Sequence, residues 1–127
     1  CLTGCVSKEE KESANYKFGW YFSNVTIKPG ETDTDMVISL ELIEGNNIKD
    51  SISATLITDK TEYVSTEFYS TYSTLDIGGF IGVVSHEDAI NFSFDNVNTT
   101  DYDSLAVTII DEYQNEEITL TYYPDVA

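Results

Sequence analysis

Met36-Val37-Ile38-Ser39-Leu40-Glu41-Leu42-Ile43 sets Ile38, Leu40 and Leu42 in alternation with Val37, Ser39 and Glu41. Successive side chains of an extended chain point to opposite faces, so a period of two gathers the large aliphatics on one side of a strand. Reading upstream, Tyr16, Phe18, Trp20 and Phe22 share one face of a first strand, with Lys17, Gly19, Tyr21 and Ser23 on the other. That run continues through Val25 and Ile27 to Pro29-Gly30, and Glu31 to Asp35 makes an acidic turn. Trp20 is the expected large residue of the core. Reading downstream, Gly45-Asn46-Asn47 is a turn, a strand runs from Ile48 to Thr58, and Asp59-Lys60 turns into a strand from Glu62 to Tyr69 carrying Val64, Thr66 and Phe68. Ser70 to Gly79 loosens into a loop or a crossing between sheets. A short strand lies around Phe80 to Ser85, and Ile90, Phe92 and Phe94 alternate with Asn91 and Ser93. The last hairpin joins Leu105–Glu112 to Glu117–Tyr123. These signals predict an all-β fold, a single antiparallel β-sandwich of about eight strands, immunoglobulin-like in the broad sense but without the inter-sheet cysteine pair.

At 127 residues the chain is long enough for one self-sufficient core. Both cysteines fall within the first five residues, so no disulfide between them staples the body. Val6 to Asn15 (Val-Ser-Lys-Glu-Glu-Lys-Glu-Ser-Ala-Asn) is polar and charged, with too little apolar surface to offset the entropy of ordering. The expected division is residues 1–15 as a signal-peptide remnant and polar tether, and 16–127 as the sandwich.

Leu2-Thr3-Gly4-Cys5 resembles the lipobox that closes the signal peptide of bacterial and archaeal lipoproteins: a branched apolar residue, two small residues and a cysteine. The resemblance covers these four residues. It implies cleavage before Cys5, lipid attachment at the Cys5 sulfur, and a domain held on the extracellular face of the cell membrane. No apolar run downstream is long enough to span a bilayer, so membrane attachment is expected to be covalent.

The chain has 23 acidic residues, six lysines and no arginine, a formal charge of -17. Such a field repels phosphate backbones, which sets nucleic acid aside as a partner. The absence of arginine removes the usual bidentate clamp for phosphate and carboxylate.

No catalytic constellation stands out. His86, the one histidine, sits in the turn Ser85-His86-Glu87-Asp88, where consecutive side chains diverge rather than converge on a reacting group. Gly78-Gly79-Phe80-Ile81-Gly82 lacks the lysine and the following helix of a phosphate loop. The expectation is a non-catalytic chain with no cofactor other than a structural calcium. That ion would be held by Asp95, Asn98, Asp101 and Asp103, whose oxygens crowd one loop as hard cations require, though without the central glycine and closing glutamate of the helix-loop-helix calcium pattern. Asn24, Asn91 and Asn98 each begin an Asn-x-Ser/Thr acceptor and are the candidate glycosylation sites. Tyr63, Tyr69 and Tyr72 form the candidate contact surface for a protein or glycan partner, because Tyr63 and Tyr69 fall opposite Val64 and Phe68. Two functions follow as expectations: a cell-surface lipoprotein domain with a binding or envelope-structural role, or a filament subunit whose polar arm adds to a neighbour's sheet edge.

Overall fold

The computed structural model describes residues 6–29, 34–43, 48–49, 53–58, 61–65, 67–70, 83–84, 89–97, 101–111 and 115–127. They form an all-β fold of two four-stranded antiparallel sheets preceded by one helix. After α1 (Lys8–Phe18) come β1 (Phe22–Pro29), β2 (Met36–Leu42), β3 (Ile48–Lys49), β4 (Ser53–Ile57) and β5 (Glu62–Val64). Then follow β6 (Glu67–Ser70), β7 (Val83–Val84), β8 (Ala89–Phe94), β9 (Ser104–Ile110), β10 (Glu117–Tyr122) and a single 3-10 turn, Pro124–Val126. One sheet has the order β1-β2-β8-β6, the other β10-β9-β4-β5, and β3 and β7 pair as a short ribbon that reaches β9 through an Ile48–Asp111 bridge.

Alternation on the two central pairs builds the core. Met36, Ile38, Leu40 and Leu42 of β2 and Ile90, Phe92 and Phe94 of β8 share one buried cluster with Ala54 and Leu56 of β4 and Leu105, Val107 and Ile109 of β9. On the opposite face of β2 and β8, Val37, Ser39 and Asn91 are buried as well, so the centre of this sheet is covered on both sides.

Three expectations are corrected. Val6 to Asn15 is not a tether: Ser7 caps a helix that runs through Tyr16 to Phe18, over residues expected to begin the first strand. Glu62 to Tyr69 is not one strand. β5 pairs with β4, whereas β6 pairs with β8 in the other sheet, so the change of sheet falls between Val64 and Glu67 rather than after Ser70. Trp20 is not in the core but 54% exposed, and Phe18 and Phe22 take the apolar places beside the helix end. Period two puts the aromatic run on one strand face, but its first half follows the helical period of α1.

β1 holds a bulge. Ser23 pairs with Glu41 and Thr26 with Ser39, leaving Asn24 and Val25 opposite Leu40 alone. Asn24 takes φ 53 there, a left-handed conformation that asparagine tolerates better than most residues.

Candidate functional site

The local sequence explains why so polar a segment is helical. Ser7 Oγ accepts from the Glu10 N–H at 3.1 Å, and its hydroxyl donates to Glu10 Oε1 at 3.2 Å, a variant of the Ser-x-x-Glu capping box. Glu9 and Glu10 in the first turn and Lys17 in the last complement the helix dipole. Lysine, glutamate and alanine, which fill most of the interior, lose little in a helix.

One face of α1 docks. Lys11, Ala14, Asn15 and Phe18 recur at the spacing of a single helical face and are the partly or fully buried positions after residue 8. Phe18, 2% exposed, sits 5.2 Å from the rings of both Phe22 and Tyr122. Asn15 Nδ2 donates to the Tyr123 carbonyl at 2.9 Å, and the Tyr123 N–H donates to Asn15 Oδ1 at 2.7 Å, so the side-chain amide pairs with the end of β10 as another strand would. Lys11 Nζ lies 2.9 Å from Asp125 Oδ2 and 5.7 Å from the Tyr123 ring centroid. That hydrogen bond holds the Lys11 ammonium above its ordinary pKa and the Asp125 carboxyl below its own.

The helix thereby shields an edge. The Asp111 N–H donates to the Glu116 carbonyl, so by the antiparallel pattern the backbone groups of residues 118, 120 and 122 point to β9 and those of 117, 119, 121 and 123 point away. Asn15 satisfies residue 123. Beside it a shallow groove of about 270 Å³ runs between Glu10, Ser13, Ala14 and Lys17 of the helix and Thr119, Leu120 and Thr121 of β10.

The opposite face of α1 is open. Glu9, Glu12 and Tyr16 lie on it, and Trp20 follows at the turn. Tyr16 is 69% exposed and Trp20 54%; their rings meet edge to face, centroids 5.7 Å apart at 75°. Below this turn Tyr21 is buried, and its hydroxyl donates to Asp111 Oδ2 at 2.9 Å. Burial first, and the hydrogen bond to Asp111 second, push the phenol up to about 12.

Among the described residues, those singled out from the sequence do not converge. Tyr63 is half-buried against the core opposite Leu56, while Val64 is 62% exposed; the two faces are reversed from expectation because β5 belongs to the second sheet, and a one-residue slip exchanges faces. Tyr69, on β6, stands in register with Asn91 of β8, and Tyr72 lies outside the described residues. Asn91 is 4% exposed in mid-sheet, in register with Ser39 of β2 and Tyr69 of β6. Asn24 is exposed and its Nδ2 donates to Glu41 Oε2 at 2.6 Å. Asp95, Asp101 and Asp103 are all exposed, and no three His, Cys, Asp or Glu side chains among the described residues are grouped to hold a metal ion. Cys5, His86 and Asn98 lie outside the described residues.

The exposed aromatic pair was missed because alternation sent Tyr16 and Trp20 inward. The legible signal was Ser7-x-x-Glu10: a helix starting there puts Tyr16 seven residues after Glu9 and opposite Phe18. Compared with protein-family models, with curated proteins and with solved structures, the chain matches none.

Proposed function

We propose that this chain is a non-catalytic binding or envelope-structural domain, displayed on the extracellular face of a cell membrane through a lipid on Cys5. One observation carries the reading: Leu2-Thr3-Gly4-Cys5, with the small residues a lipoprotein peptidase requires, stands directly before a body whose first helix is capped at Ser7. A lipid at Cys5 would leave only Val6 between the anchor and the helix cap. The domain would then be held close to the bilayer, with the N-terminal end of α1 toward it, and would present its other surfaces to partners. Two acyl chains suffice for stable attachment, each buried methylene contributing about 0.8 kcal/mol.

The test is metabolic labelling with a fatty acid in the native host, together with the intact mass of the recovered protein. Acyl mass on a chain beginning at Cys5, and release of Cys5→Ser into the soluble fraction without label, is the expected result. Recovery of unlabelled chain retaining Leu2-Thr3-Gly4 would sink the anchor. The filament alternative needs residues 6–15 extended on a neighbour, so α1 would have to unwind and give up the Asn15–Tyr123 pair. Concentration-independent monomer by sizing counts against it.

A further inference from the structure

We propose that the outward face of α1, with Tyr16 and Trp20 at its centre, docks a cationic peptide segment of a protein partner, arginine being preferred to lysine. Tyr16, Trp20 and Val64 are the most exposed large apolar side chains among the described residues, and the first two are adjacent. At about 100° per residue, Glu9, Glu12 and Tyr16 lie opposite Lys11, Ala14 and Phe18, the side packed on the body, so docking on them leaves the fold undisturbed.

The pair is also preorganised. Each ring holds the other edge to face, and the turn beneath is fixed by Gly19 N–H to the Asn15 carbonyl at 2.9 Å, Trp20 N–H to Lys17 at 3.1 Å and Tyr21 N–H to Phe18 at 3.0 Å. Little side-chain entropy remains to be lost on binding. Trp and Tyr rings attract cations through the negative π-face, and a planar guanidinium stacks on them better than an ammonium.

Charge selects the occupant. Lys8 and Lys17 offset two of the three glutamates on α1, so the helix alone is nearly neutral; the long-range pull comes from the whole chain at -17. An anionic polymer or a second copy of the chain is repelled by that field, whereas a basic segment is drawn in and then held by the rings. The proposal rests on the binding role above but not on the lipid. A chain that is acylated in its host yet ignores basic peptides keeps the anchor and loses this surface.

Trp20 is the only tryptophan, so its fluorescence reports the site directly. Titration with hexa-arginine, hexa-lysine, hexa-glutamate and a neutral hexaose, at low salt and at about 0.15 M salt where weak long-range attraction is screened, is the test. Expected is a saturable change in Trp20 emission with hexa-arginine that persists in salt, is weaker with hexa-lysine and is absent with hexa-glutamate. Tyr16→Ser should weaken binding about fivefold, and Trp20→Leu, followed by calorimetry, should do the same. Both positions are exposed, so the melting temperature should hold in each variant. Equal binding of the arginine and lysine peptides, with neither substitution mattering, would reduce the effect to bulk charge and overturn the proposal. A response to the hexaose alone, or a concentration-dependent change without any peptide, would overturn it in favour of a glycan or a second copy.

Discussion

Tyr21 joins the two halves of the molecule through one hydrogen bond. Its ring follows the helix turn, and its hydroxyl reaches Asp111 at the far end of β9, where both groups are buried. Because the folded phenol ionises near 12 and the unfolded one near 10, the folded state favours the protonated form. Its contribution is complete below pH 10 and is lost as pH rises from 10 toward 12. Tyr102, pushed to about 12 mainly by burial, behaves alike. Denaturant titrations across this range should show stability level below pH 10 and falling above it. In Tyr21→Phe the fall should be shallower, and stability at neutral pH lower by about 1–2 kcal/mol. An identical alkaline slope in both proteins would mean that the bond contributes nothing. Asn24 illustrates the same scale differently: its place was legible only as a glycan acceptor, but its left-handed φ inside a bulge gives it a structural task first.

At the scale of the element, α1 is held by few but specific contacts. Phe18 is its only buried apolar anchor, and Asn15 supplies a donor and an acceptor to Tyr123. Phe18→Ala should cost about 3–5 kcal/mol, since it opens a cavity beside Phe22 and Tyr122. Asn15→Asp keeps the shape and the acceptor but sets a carboxylate against the Tyr123 carbonyl, and should cost about 1–3 kcal/mol. Hydrogen exchange should locate the loss: in Asn15→Asp the amides of Lys11 to Gly19 and of Tyr123 should exchange faster while β2 and β8 remain protected. Uniform acceleration across both sheets would show that the helix is not a separable element. The switch of sheets between β5 and β6 belongs to this scale as well. An extended reading of residues 62–69 puts Val64, Thr66 and Phe68 on one face, and it is the pairing of β5 with β4 and of β6 with β8 that shows the chain leaving one sheet for the other.

For the whole molecule the charge of -17 is the dominant long-range term. Self-repulsion weakens a compact state, and salt screens it over about 8–10 Å at physiological strength. The melting temperature should therefore rise as sodium chloride is added. Calcium chloride matched in ionic strength separates screening from coordination. An equal rise dismisses Asp95, Asp101 and Asp103 as ligands, whereas a larger one, abolished by Asp101→Asn, establishes them.

The alternation of β2, β8, β9 and β10, set by which side chains leave water together, was readable from residue order alone and was enough for an all-β sandwich. So were the terminal cysteines and the acidic excess, which depend on composition and not on contacts. The Ser7-x-x-Glu10 cap gives Val6 to Asn15 a local helical bias, but tertiary structure decided that the segment would hold it, because the stabilising partners are Tyr123, Asp125 and Tyr122, more than a hundred residues away. It also decided which aromatics face solvent: Phe18 and Tyr16 are two positions apart and would share a strand face, but a helix turns them to opposite sides, and the docking of α1 against β10 fixes which side is buried.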